Sequence, residues 1–80
     1  MSKHLIVVTA AYKMGHQRFK CKLQIVGRNI LRIEEIPPDV PENQELGVNT
    51  RIQTSIGEYI SVVEEYETVV AEWAETLESL

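Results

Sequence analysis

The apolar positions of this chain change period along its length. Leu5 to Met14 is a largely apolar run rich in β-branched residues, and from Arg18 to Ile25 polar and apolar residues alternate, the pattern of a strand with one face buried. Gly15-His16 stands between the two runs, a two-residue turn with glycine first, as type II′ requires. Folding the chain there pairs Met14 with Gln17, Tyr12 with Phe19, Ala10 with Cys21, Val8 with Leu23 and Ile6 with Ile25. Opposed residues share a face, so this register gathers an apolar face. The other face carries Leu5, Val7, Thr9, Ala11 and Lys13 opposite Val26, Gln24, Lys22, Lys20 and Arg18. A one-residue slip would mix the two sets.

Gly27-Arg28-Asn29 reads as a three-residue loop, with Asn29 tolerant of the left-handed conformation. Pairing across it sets Ile25 against Leu31 and Leu23 against Ile33 on the apolar face. On the outer face Lys22 meets Glu34 and Gln24 meets Arg32. The expectation is a three-stranded antiparallel meander with the second strand central. Cys21 then lies on the buried face as a small hydrophobe. Pro37-Pro38 stops the third strand, since proline cannot donate to a ladder. The stretch from Pro37 to Val48 shows no clear period. Val48 to Thr54 fits either a fourth, edge strand or the start of a helix.

Ser55-x-x-Glu58 has the form of a capping box, and from there to Leu80 only Gly57 opposes a helix. Such a helix would be roughly 35 Å long. Its apolar residues fall into two seams. Ile56, Tyr59, Ile60, Val63, Val70, Ala74 and Leu77 suit the apolar face of the sheet. Val62, Tyr66, Val69, Trp73 and Leu80 form a second seam, more than one stripe requires. That seam needs the 37–54 connection folded back on it, or a second copy of the chain. A homodimer through Val62, Tyr66, Val69, Trp73 and Leu80 is the expectation. The predicted fold is α+β: a three-stranded antiparallel β-meander, with a possible fourth edge strand, packed on one long C-terminal helix. It forms one domain, with the sheet in 1–36, the connection in 37–54 and the helix in 55–80.

At 80 residues the chain has room for one small domain, which buries about 60% of the surface its unfolded form exposes and so has a thin margin of stability. No apolar run approaches the roughly 18 residues of a membrane span. Leu5 to Ala11 behind Lys3-His4 imitates a short signal peptide, but its removal would cost the second strand its partner. Cys21 is the one cysteine and cannot form an internal disulfide, and no Cys/His spacing suits a metal. A cytoplasmic protein without metal or cofactor is expected.

Charge is divided sharply along the sequence. Seven cations and no carboxylate precede Glu34; twelve carboxylates and one cation, Arg51, follow from there. Such asymmetry bears on association rather than on fold. The predicted helix carries seven glutamates and no lysine or arginine, several near the end where the macrodipole disfavours them. A solvated face is one reading. The sharper one is a docking surface for a basic protein partner, with Glu58, Glu65, Glu72 and Glu75 in contact.

Nothing in the chain suggests catalysis. His4 and His16 sit at opposite ends of the derived hairpin, and the glycines form no phosphate loop. Exposed glutamates also lack the shielding that separates the pKa values of an acid–base pair. The expected function is a non-enzymatic protein-interaction module, a homodimeric inhibitor or adaptor of the phage or mobile-element type. Its acidic helix would dock on a basic, nucleic-acid-handling host complex. The alternative is a small nucleic-acid-binding regulator that uses Lys13, Arg18, Lys20, Lys22 and Arg32 on the outer sheet face. That face has no aromatic residue for base stacking.

Overall fold

The first hairpin forms in the register that its side chains dictate. Strand β1 (Leu5–Met14) and strand β2 (Gln17–Val26) pair along all ten residues, from Leu5 with Val26 to Met14 with Gln17. Gly15 has a φ of 64°, and no residue other than glycine has a positive φ among those described. A type I′ turn would need His16 there too, so the turn is type II′. The computed structural model describes residues 4–37 and 39–78.

Beyond Val26 the fold departs from a meander. Gly27–Asn29 is one 3₁₀ turn, not a loop with a left-handed Asn29. Strand β3 (Ile30–Glu35) pairs with strand β4 (Thr50–Thr54), not with β2, so the cross-strand pairs Lys22–Glu34 and Leu23–Ile33 do not form, although Leu23 and Ile33 pack on the same core. Strand β5 (Tyr59–Val62) pairs with β4 and meets β1 at Ala10–Val62. The sheet has five antiparallel strands in the order β2-β1-β5-β4-β3.

This order forces the sheet to fold over itself. The link between β2 and β3 is three residues long, which spans at most about 14 Å. In a flat sheet the two edge strands would stand four spacings apart, about 19 Å. The β1–β2 ribbon and the β3–β4–β5 meander therefore face each other as two layers, joined at the Ala10–Val62 corner. Ile6, Val8 and Ile25 from the ribbon, Ile30, Ile52 and Val62 from the meander, and Val69 form the core between them. The partial alternative of an edge strand over 48–54 is realised as β4, which is internal and whose Thr50, Ile52 and Thr54 are all buried.

The predicted helix over 55–80 is divided. Its first part is a β-hairpin: Thr54 donates to the Glu58 carbonyl at 2.9 Å and Gly57 donates to the Thr54 carbonyl at 3.0 Å. Gly57 takes a φ of 90°, which a helix does not allow. The capping box of Ser55 and Glu58 does not exist; the Glu58 amide instead bonds Thr54 Oγ1. The reason is arithmetic. Ile52, Ile56 and Ile60 are four apart, which is two strand periods as well as about one helical turn, and β-branched residues favour the strand. Helix α2 (Tyr66–Glu78) keeps 13 residues, about 20 Å.

Helix α2 packs on β1, β3 and the 3₁₀ turn with the second apolar seam inward. Val69 is fully buried, Trp73 packs on the core, and Trp73 Nε1 donates to the Gly27 carbonyl at 2.9 Å. Ala74 and Leu77, expected against the sheet, are exposed. The connection after β3 contains helix α1 (Pro41–Leu46), which begins on a proline and ends at Gly47 in the left-handed conformation. It closes a second small cluster of Ala11, Ile36 and Val48 with Leu46 and Val63 on the outer face of β1. Among the described residues no helix is long and apolar enough to cross a membrane.

Candidate interaction surface

The ribbon outruns what covers it. Its ten-residue strands are about 33 Å long, whereas α2 reaches about 20 Å and the meander crosses at Ala10. The distal half, from Tyr12 through Lys22, is exposed on both faces. The molecule is correspondingly long, 41 × 22 × 21 Å, with a radius of gyration of 12.8 Å against about 11.6 Å for a compact chain of this length.

The inner face of this arm is apolar. Tyr12 stacks on Phe19 with ring centroids 5.5 Å apart and planes 20° from parallel, a cross-strand pair that stiffens the ribbon. Both rings remain over a third exposed, Met14 is 64% exposed, and Cys21 is exposed as well. The sequence pattern places these side chains on the correct face, but no described element covers them there. Cys21 is therefore not a core residue.

The outer face carries cations. The register puts Lys13 opposite Arg18, with Lys20 and Lys22 following on the same side of β2. Glu45 of α1 reaches the first two: its Oε1 lies 3.8 Å from Lys13 Nζ and 3.6 Å from Arg18 Nε, and its backbone carbonyl accepts from Arg18 Nη1 at 3.2 Å. Arg32 is not part of this group. It stands on β3, at the opposite edge of the sheet, 3.1 Å from Glu34. The clamp by Glu45 has no pattern of its own in the sequence, but Pro41 at the start and Gly47 just past the end signal α1.

The acidic residues do not form one stripe. Glu72 and Glu75 lie on α2 and Glu65 precedes it, while Glu58 belongs to the β4–β5 turn at the far end of β5. Glu64 is structural, its Oε1 accepting from the Thr9 amide at 2.7 Å. The stripe expected to meet a second copy is largely internal: Val62 and Val69 are fully buried, and Tyr66 and Trp73 are half-buried. Leu80 lies outside the described residues.

His4 and His16 are both exposed and lie at opposite ends of the hairpin. Among the described residues no group of three His, Cys, Asp or Glu side chains is arranged to hold a metal ion.

These elements define an α+β protein whose five-stranded antiparallel sheet folds around one C-terminal helix and projects a two-stranded arm. Compared with known proteins, the chain matches no family model, no curated protein and no solved structure.

Proposed function

We propose that the protein is a non-enzymatic protein-interaction module, an adaptor or inhibitor whose principal docking element is the β1–β2 arm. The observation that carries this reading is the uncovered apolar face of Tyr12, Met14, Phe19 and Cys21 on a ribbon that stands clear of the core. Apolar patches that a fold leaves open mark interaction sites, and paired aromatic residues on a stiff ribbon provide contact area with little ordering cost. The carboxylates Glu65, Glu72 and Glu75 supply a second contact for a basic region of the partner. Glu58 sits too far along the fold to join them.

A second reading has its own observation. Lys13, Arg18, Lys20 and Lys22 share one face of a projecting ribbon, a shape that the DNA major groove admits. Glu45 neutralises part of that face, and the net charge of −4 opposes approach to a polyanion.

Affinity capture from a lysate of the native host, in nuclease-treated and untreated halves, separates the two. The module retains a protein in both halves, and the exposed double variant Tyr12→Ser/Phe19→Ser loses it while keeping the wild-type circular dichroism. Capture unaffected by that variant removes the arm from the interface. Recovery that vanishes with nuclease transfers the function to the cationic face.

A further inference from the structure

β2 ends the sheet: β1 takes one side of it, and no described strand takes the other. Its free backbone groups follow from the ladder. The Gly27 amide donates to the His4 carbonyl, and hydrogen-bonded pairs recur at every second residue of an antiparallel ladder. The residues between them, Arg18, Lys20, Lys22, Gln24 and Val26, turn their N–H and C=O groups away from β1. An exposed edge of this kind is a template for another strand.

Along its base the same edge borders a groove of about 380 Å³. Leu23 to Val26 form one wall, the β4–β5 turn with Ile56 and Glu58 forms the other, and Ile60 also lines it. The groove is the open mouth between the two layers of the folded sheet. It continues the apolar face of Phe19 and Cys21.

We infer that the outer edge of β2 accepts an extended acidic segment of another protein as a sixth strand, with carboxylates and apolar residues alternating along it. The inference rests on the interaction-module reading and names the partner's chemistry. Carboxylates on the incoming strand face Lys20 and Lys22, which form no ion pair with any described residue, whereas Glu45 already holds Lys13 and Arg18. The alternate apolar side chains cover Phe19, Cys21 and Leu23. Glu58 on the far wall requires an uncharged end beside Gln24 and Val26. A second copy pairing through the same edge would set Arg18, Lys20 and Lys22 against their own counterparts, and like charges directly opposed are destabilising. A nucleic acid would satisfy the lysines but leave the apolar face open.

The test uses a synthetic peptide of alternating valine and glutamate, about nine residues long. It is made in two versions, with threonine replacing glutamate at the N- or the C-terminal end, so that an uncharged end lies beside Gln24 and Val26. There are two controls: lysine in place of glutamate, and the same residues shuffled. Binding is followed by fluorescence anisotropy and by amide hydrogen exchange. The glutamate peptide binds and slows exchange at Lys20, Lys22, Gln24 and Val26. Lys20→Glu/Lys22→Glu weakens it by about tenfold, as two partly screened ion pairs would, and takes up the lysine peptide instead. Lys20→Gln/Lys22→Gln, which changes the charge less, serves if the reversed variant does not fold and weakens binding in the same direction. Equal binding of the shuffled peptide, unaltered exchange at those amides, or an unchanged preference in the variant overturns the inference. Slow exchange of the same amides in a free dimer, seen by sedimentation, assigns the edge to a second copy. Displacement of the peptide by duplex DNA assigns it to nucleic acid. A peptide that fails while Tyr12→Ser/Phe19→Ser still abolishes capture removes only the strand; capture indifferent to the arm removes the module reading itself.

Discussion

Gly27 shows how much one residue without a side chain can decide. It is buried under α2, and a methyl group built on it would overlap Thr76 Oγ1 and Cβ. The close approach lets Trp73 Nε1 reach its carbonyl, while Thr76 Oγ1 donates back to the Trp73 carbonyl at 2.6 Å. Gly27→Ala should cost about 1–3 kcal/mol by overpacking, read from urea unfolding by tryptophan fluorescence. In a Thr76→Gly background that penalty should shrink, and an equal penalty in both backgrounds would refute the contact. The isoleucines make a parallel contrast. Ile52 is fully buried, so Ile52→Ala should cost about 2–5 kcal/mol, a large share of the stability of a domain this small. Ile56 is 78% exposed at the tip of a turn, so Ile56→Ala should change stability by less than about 0.5 kcal/mol.

Among the elements, the segment 55–62 carries the main lesson. Its isoleucine spacing satisfies strand and helix at once, and Ser55 and Glu58 complete a plausible cap. What decides is Gly57, whose φ of 90° serves a hairpin and not a helix. Substitution there has opposite signs in the two structures. Gly57→Ala in a helix would stabilise by about 0.5–1 kcal/mol; in this turn it should destabilise by about 1–2 kcal/mol. Thermal unfolding gives the sign directly, and a raised midpoint would restore the helix. In α2 the capacity for helix was legible, but the choice of inward seam was not. Both seams are apolar, and only the position of the folded sheet selects Val69 and Trp73 over Ala74 and Leu77.

For the whole molecule, the short link between two edge strands makes a two-layer fold from what the sequence presents as a meander. It also decides which surfaces remain open. Trp73, expected on an interface with a second copy, is committed to the core and to Gly27. Trp73→Glu should therefore unfold the protein rather than produce a monomer, because a carboxylate would be buried without a partner. A folded Trp73→Glu variant with native circular dichroism would contradict this placement. Electrostatics matter less to stability than to partners. The ion pairs of Glu45 are exposed, so Glu45→Gln should shift stability by no more than about 1 kcal/mol, and high salt should reproduce that small effect in the wild-type protein.

The sequence alone determined the first hairpin, its type II′ turn and the two faces of its strands. Alternation in the second strand and one glycine at the turn are enough when strands are adjacent in the chain and a register slip mixes the two faces. It also placed Lys13, Arg18, Lys20 and Lys22 on one face. Only the tertiary structure decided that β3 pairs with β4, that β5 exists, and that Tyr12, Phe19 and Cys21 stay uncovered. Those outcomes depend on contacts between residues far apart in the chain, where a three-residue link admits a folded sheet as readily as a third neighbouring strand. The periodicity of a segment states which of its faces is apolar. What covers that face is set by the length and position of elements elsewhere, and here α2 is too short to cover the arm.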